Sequence, residues 1–111
     1  MDIGLDPSPY NGTTTTCEAL WMGVPVITLA GNVHASRVGA SLLSAVGLER
    51  YIAGNSQDYQ DLASQLASDL HELDGLRRGL RERLEKSILC AQPEFTHTLE
   101  TAYRSMWQAW C

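Results

Sequence analysis

The sequence predicts an α/β fold with a short parallel sheet in its first half and a helical C-terminal half, and three observations predict it. Short apolar runs alternate with helical patterns over roughly the first 55 residues, as a strand, crossover helix and strand require. The run Val26-Ile27-Thr28-Leu29 has no alternation of polar and apolar faces, which suits a strand buried on both sides. Leu62, Leu66, Leu70, Leu73, Leu76, Leu80 and Leu84 recur at spacings of three and four, the period of an amphipathic helix.

Each element follows in order. Ile3 and Leu5 belong to a first strand, which Asp6-Pro7-Ser8-Pro9-Tyr10-Asn11-Gly12 ends. Each proline there lacks an amide hydrogen, and Asn-Gly favours a turn. A helix is expected from about Thr15 to Met22, with Gly23 placed to stop it and Pro25 to prevent its resuming. After the Val26–Leu29 strand, Ala30-Gly31-Asn32 turns the chain into a helix of roughly Ser36 to Val46, stopped by Gly47, and Tyr51-Ile52-Ala53 adds a short strand. The leucine series is too long for one helix of a small domain, so two are expected, divided at Asp74-Gly75. A polar connection from Ser87 to Pro93 leads to a last helix with Phe95, Leu99, Ala102, Tyr103, Met106 and Trp110 on one side, a face suited to docking.

The chain has 111 residues, 44% of them hydrophobic, which is room for one domain with a modest core. That domain spans 1–111, with residues 1–55 as its strand and helix part and 56–111 as its helical part. A formal net charge of −5 repels a phosphate backbone, so nucleic acid is not an expected partner. A single small phosphate is a different case, because a few local dipoles hold it inside an acidic protein. Cys17, Cys90 and Cys111 form an odd set without a C-x-x-C pair, which fits a reducing cytoplasm better than a disulfide framework or a zinc site. His34, His71 and His97 lack metal-ligand spacing, so no metal and no cofactor is expected. No apolar run approaches the roughly 20 residues a bilayer needs, so no membrane partner is expected. A strand-like segment directly after Met1 suggests a segment of a longer protein.

The informative stretch is Asn11-Gly12-Thr13-Thr14-Thr15-Thr16-Cys17-Glu18, where a loop after a parallel strand enters a helix, the usual ligand crevice of open α/β sheets. Four consecutive β-branched residues are poor helix formers, so propensity alone would not select them for a helix start. Two readings fit. In one, the free first-turn amides, the positive end of the helix dipole and several hydroxyls receive a phosphate, and Glu18 accepts from the two hydroxyls of a ribose. In the other, a threonine caps the helix and Glu18 complements its dipole. Neither G-x-G-x-x-G nor a P-loop is present, so dinucleotide and P-loop sites have no support. His34 and Arg37 follow a strand end and sit at the edge of the same crevice, near a sugar or acceptor, or simply start the next helix with Ser36 near its cap.

The run from Gly12 to Val26, with its Glu18-Ala19-Leu20 and Gly23-Val24-Pro25-Val26, followed by Ala30-Gly31-Asn32-Val33-His34-Ala35-Ser36-Arg37-Val38-Gly39, resembles the SPINDLY and O-GlcNAc transferase family of protein glycosyltransferases. The likeness extends to the tail through Tyr59, Leu62, Leu66, Asp69, Leu76, Arg77 and Leu80 and the closing Leu99, Glu100, Tyr103, Met106 and Trp107. It implies a partial Rossmann-like domain, the C-terminal half of a GT-B pair, with the nucleotide sugar held in the cleft against a missing N-terminal domain. It also implies a nucleotide-sugar site of Asn11, Gly12, Thr13, Thr14, Thr15 and Glu18, in which the stretch from Gly12 to Thr15 holds the diphosphate, with Thr14 and Thr15 as its donors, and Glu18 holds the ribose. The family's catalytic base, a donor-contacting lysine and the helical TPR repeats that bind the protein acceptor all lie upstream of the matched residues, so no catalytic residue is expected here. Thr13 departs from the histidine of the animal enzymes and agrees with the SPINDLY-like branch, which leaves UDP-GlcNAc and GDP-fucose both open as donors. Set against this is a noncatalytic α/β interaction module whose helical half binds a partner.

Overall fold

A computed structural model describes residues 1–111. Three parallel strands, β1 (Gly4–Leu5), β2 (Val26–Leu29) and β3 (Ile52–Ala53), lie in the order β1-β2-β3. Gly4 is opposite Val26 and Leu5 opposite Ile27; on the other edge Thr28 is opposite Ile52 and Leu29 opposite Ala53. β2 is therefore central, and the burial of Val26, Ile27 and Thr28 follows from strands on both sides and helices on both faces.

Helix α1 (Thr14–Trp21) joins β1 to β2, and α2 (Val38–Ala45) joins β2 to β3. Both end as the glycines predict. Gly23 and Gly47 have φ of 75° and 71°, a left-handed conformation that glycine adopts without steric cost. In α1 the Val24 amide donates to Ala19 and the Gly23 amide to Leu20; in α2 the Leu48 amide donates to Leu43 and the Gly47 amide to Ser44. Each is a Schellman closure, which satisfies carbonyls the helix end would otherwise leave open. Gly23 also lies against α4, where a Cβ would come 2.8 Å from the Arg77 carbonyl oxygen.

Three boundaries differ from expectation. The helix expected over Ser36–Val46 is a 3-10 turn, His34–Ser36, followed by α2. The buried Ser36 hydroxyl donates to the Val33 carbonyl, and the Gly31 amide donates to the Ser36 carbonyl, so a tight turn is stabilised before the helix begins. Tyr51 ends another 3-10 turn, Glu49–Tyr51, and β3 starts one residue later. The leucine series divides at Asp69 and not at Asp74-Gly75, giving α3 (Ser56–Ser68) and α4 (Leu70–Glu85). Asp69 has non-helical backbone angles and its carboxylate accepts from the Glu72 amide at 2.9 Å, so it caps α4. Gly75 stays helical because its cost of about 1 kcal/mol relative to alanine is outweighed by the burial of Leu73, Leu80 and Leu84 on the other face of the helix.

A single core runs from sheet to helices: Leu20, Ile27, Leu43, Leu48 and Tyr51 meet Leu66, Leu73, Leu80 and Leu84. Leu62 and Leu76 are half-buried, whereas Leu70, the first residue of α4, is exposed. The Tyr51 hydroxyl donates to the Glu72 carboxylate. Burial first, and then that bond, push its pKa far above the usual tyrosine value, against the pull of Arg50. The neutral phenol therefore contributes stability in full below pH about 10, where an unfolded tyrosine ionises, and loses it as the pH rises from there. The melting temperature is expected to fall above pH about 10, and Tyr51→Phe to flatten that fall in thermal scans.

The last helix, α5 (Gln92–Trp110), has no buried residue. It leaves the body, which explains a radius of gyration of 16.0 Å where a compact domain of this length has about 13 Å. Phe95, Leu99, Tyr103, Met106, Trp107 and Trp110 are all exposed along it.

Candidate functional site: the loop and first turn of α1

The site is built at the C-terminal end of β1. Asp6 is buried there at 4% exposure. One carboxylate oxygen accepts the Gly12 amide at 2.7 Å, and the other accepts the Thr28 hydroxyl of β2 at 2.6 Å. Asn11 is 2% exposed: its side-chain amide donates to the Pro7 carbonyl, its carbonyl oxygen accepts the Gly39 amide, and its own backbone amide donates to Ala35. The loop is thereby tied to β2, to the start of α2 and to the His34–Ser36 turn. These bonds bend Asn11-Gly12-Thr13 into the entry of α1.

That entry has no side-chain cap. Thr13 occupies the N-cap position without a capping hydrogen bond, so the threonine-cap reading has no bond to support it. The Cys17 amide bonds the Thr13 carbonyl, while the amides of Thr14, Thr15 and Thr16 precede the first helical bond and have no partner within the helix. Thr13, Thr14 and Thr15 have exposed side chains. Thr16 is buried and its hydroxyl donates to the Gly12 carbonyl at 3.1 Å. Gly12 is required by crowding within the loop, since a Cβ would lie 2.6 Å from the Thr15 hydroxyl and 2.9 Å from that of Thr16. Glu18 is exposed and, four residues after Thr14, lies on the same helix face. The first turn thus presents unpaired amide hydrogens at the positive end of the helix dipole, hydroxyls beside them and a carboxylate one turn on.

Of the residues read from the sequence, Gly12, Thr13, Thr14, Thr15 and Glu18 come together on this surface. Asn11 does not offer its side chain to it, because both ends of the amide are already engaged inside. His34 begins and Arg37 follows the turn that Asn11 bonds; His34 is exposed, and one Arg37 nitrogen donates to the Gly31 carbonyl at 3.0 Å. Cys17 is the one thiol in the turn, and burial, then Cys90 and Glu18, raise its pKa, so it stays protonated. Two residues that shape the loop, Asp6 and Thr28, were not legible as such. A lone aspartate at a strand end and a threonine inside an apolar strand carry no local signal that they touch.

The family model described as glycosyl transferase family 41 matches residues 1–99. The chain belongs to glycosyl transferase family 41. It is 56% identical over all of its 111 residues to the probable UDP-N-acetylglucosamine--peptide N-acetylglucosaminyltransferase SPINDLY of Petunia hybrida, and 59% identical to the SPINDLY of Eustoma exaltatum subsp. russellianum. A peptide N-acetylglucosaminyltransferase of Caenorhabditis elegans is 32% identical over 107 residues, 96% of this chain and 9% of its own. A mutant of the Thermobaculum terrenum O-GlcNAc transferase superposes with a TM-score of 0.89 at 46% identity, covering 96% of this chain and 21% of that one. The chain spans 12% of the length of the two SPINDLY relatives. Its α/β fold is that of the C-terminal part of a GT-B glycosyltransferase. No helix of the chain is long and apolar enough to cross a membrane.

Proposed function

We propose that this chain is the donor-binding part of a glycosyltransferase that moves a sugar from a nucleotide sugar, of the UDP-GlcNAc or GDP-fucose type, to Ser or Thr of proteins. The observation that carries the reading is the uncapped entry of α1, with three unpaired amides, exposed threonine hydroxyls and Glu18 one turn on. Thr14 and Thr15, with the backbone from Gly12 onward, receive the diphosphate, and Glu18 accepts from the ribose hydroxyls. Hydrogen bonds to a charged group contribute about 1.5–3 kcal/mol each, so two or three give about 3–9 kcal/mol before the association cost, which places nucleotide binding by these contacts alone nearer millimolar than micromolar. No cofactor or metal enters this reading: neutral donors and a helix dipole bear the charge of the diphosphate.

In the reaction an acceptor hydroxyl attacks the anomeric carbon, the bond to the diphosphate breaks and the configuration inverts. Negative charge grows on the departing diphosphate, which is where fixed amides and hydroxyls lower the barrier. The base that takes the hydroxyl proton and the repeats that present the protein acceptor belong to parts of the enzyme outside this chain. The exposed aromatic face of α5 packs against the N-terminal GT-B domain. The cysteine pattern supports a cytoplasmic setting.

Amide NMR tests the site directly. Titrating UDP or GDP into the chain is expected to move the resonances of Gly12 to Glu18 at millimolar nucleotide, with little change in α4. An unchanged loop at those concentrations would remove the support for the reading.

A further inference from the structure

Asp6 is a buried carboxylate with no cationic partner: the ion pairs of the chain involve Asp2, Asp74, Glu72 and Glu82. Such a group persists inside a protein where its oxygens are well hydrogen-bonded. Here both are, by the Gly12 amide and the Thr28 hydroxyl. The Asp6 backbone is held as well, its amide donating to Ile27 and its carbonyl accepting the Tyr59 hydroxyl of α3 at 2.9 Å. Gly39 of α2 closes over the carboxylate so tightly that a Cβ would lie 2.2 Å from its oxygen. β2 and α2 therefore fix this side chain and α3 its backbone, and what the carboxylate grips on its free side is the loop, two residues before the first helical residue of α1.

We infer that Asp6, braced by Thr28, is the positioning residue of the donor loop. By accepting the Gly12 amide it sets the direction in which the chain enters α1, and with it the aim of the Thr14, Thr15 and Thr16 amides. The task calls for two acceptors on one short, planar side chain. A carboxylate supplies both with a negative charge behind them, whereas an asparagine has a single neutral acceptor oxygen and either turns its NH2 to the Gly12 amide or makes the Thr28 hydroxyl accept in place of donating. The role rests on the reading of that turn as the donor site.

The test is donor kinetics in a full-length enzyme carrying this chain, for Asp6→Asn, Thr28→Val and Thr28→Ser beside Thr14→Ala. Asp6→Asn and Thr28→Val are expected to raise the donor KM and the inhibition constant of the nucleoside diphosphate about tenfold, the size of one lost hydrogen bond to a charged group. The acceptor KM should not move, and Thr28→Ser should restore the donor KM to within about twofold because it keeps the hydroxyl. A brace of the fold alone would lower the melting temperature and leave donor KM and the diphosphate constant unchanged, and that result overturns the inference. If Asp6→Asn fails to fold, the Thr28 pair decides in the same way. If Thr14→Ala raises the donor KM and neither Asp6→Asn nor Thr28→Val does, the positioning role fails while the donor site stands; if none of the three does, both fail.

Discussion

Glu18→Ala, in a full-length enzyme carrying this chain, is expected to raise the donor KM between about tenfold and a hundredfold with kcat nearly unchanged. The Glu18 side chain makes no hydrogen bond or ion pair within the chain and is exposed on the face that begins at Thr14, so its acceptors are free for a ligand. Two ribose hydroxyls donating to one carboxylate are charge-assisted bonds, and they lie away from the bond that breaks. They are therefore made equally in the ground and transition states, which is the condition for a change in KM rather than kcat. Glu18→Gln keeps one acceptor and should fall between the two. The competing role, a negative side chain near a helix start, is worth only about 0.3–1 kcal/mol of stability. It would show as a small shift in melting temperature with the donor KM intact, so initial rates against donor concentration separate the two.

The largest stability effect is expected at Gly39. Alanine there puts a methyl 2.2 Å from an Asp6 oxygen and 2.3 Å from the Thr28 hydroxyl, and neither neighbour is free to move, because each is hydrogen-bonded to the other. Overpacking of a rigid interior, added to the loss of a buried charge-assisted bond, amounts to about 3–5 kcal/mol, read from denaturant unfolding. Two other helical glycines provide the contrast. Gly75 and Gly79 of α4 have nothing within 4 Å of a built Cβ, so alanine at either should be neutral or stabilise by about 0.5–1 kcal/mol through helix propensity. The same substitution in two helices thus carries opposite signs, and the difference lies wholly in the neighbours.

That contrast also marks how far the chain could be read before folding. The order of strands and helices, the stops at Gly23 and Gly47, the unbroken apolar run of β2 and the hydroxyl-rich start of α1 were legible, because each depends on residues a few positions apart. Local rules also erred locally: Asp74-Gly75 looked like the break in the leucine series, but Asp69 caps α4 and packing carries the helix through Gly75. Asn11 looked like a ligand contact, and its side chain instead ties the loop to Pro7 and Gly39.

Periodicity, turn chemistry and family likeness are properties of neighbouring residues, so the strands, the helix ends and the surface formed by Gly12 to Glu18 could be found from the chain alone. Asp6, Thr28, Gly39 and Tyr59 are separated by up to 53 positions and meet only after the sheet has formed. Their roles come from hydrogen bonds and exclusion across that distance, which no short-range pattern encodes, and so only the tertiary structure decided them.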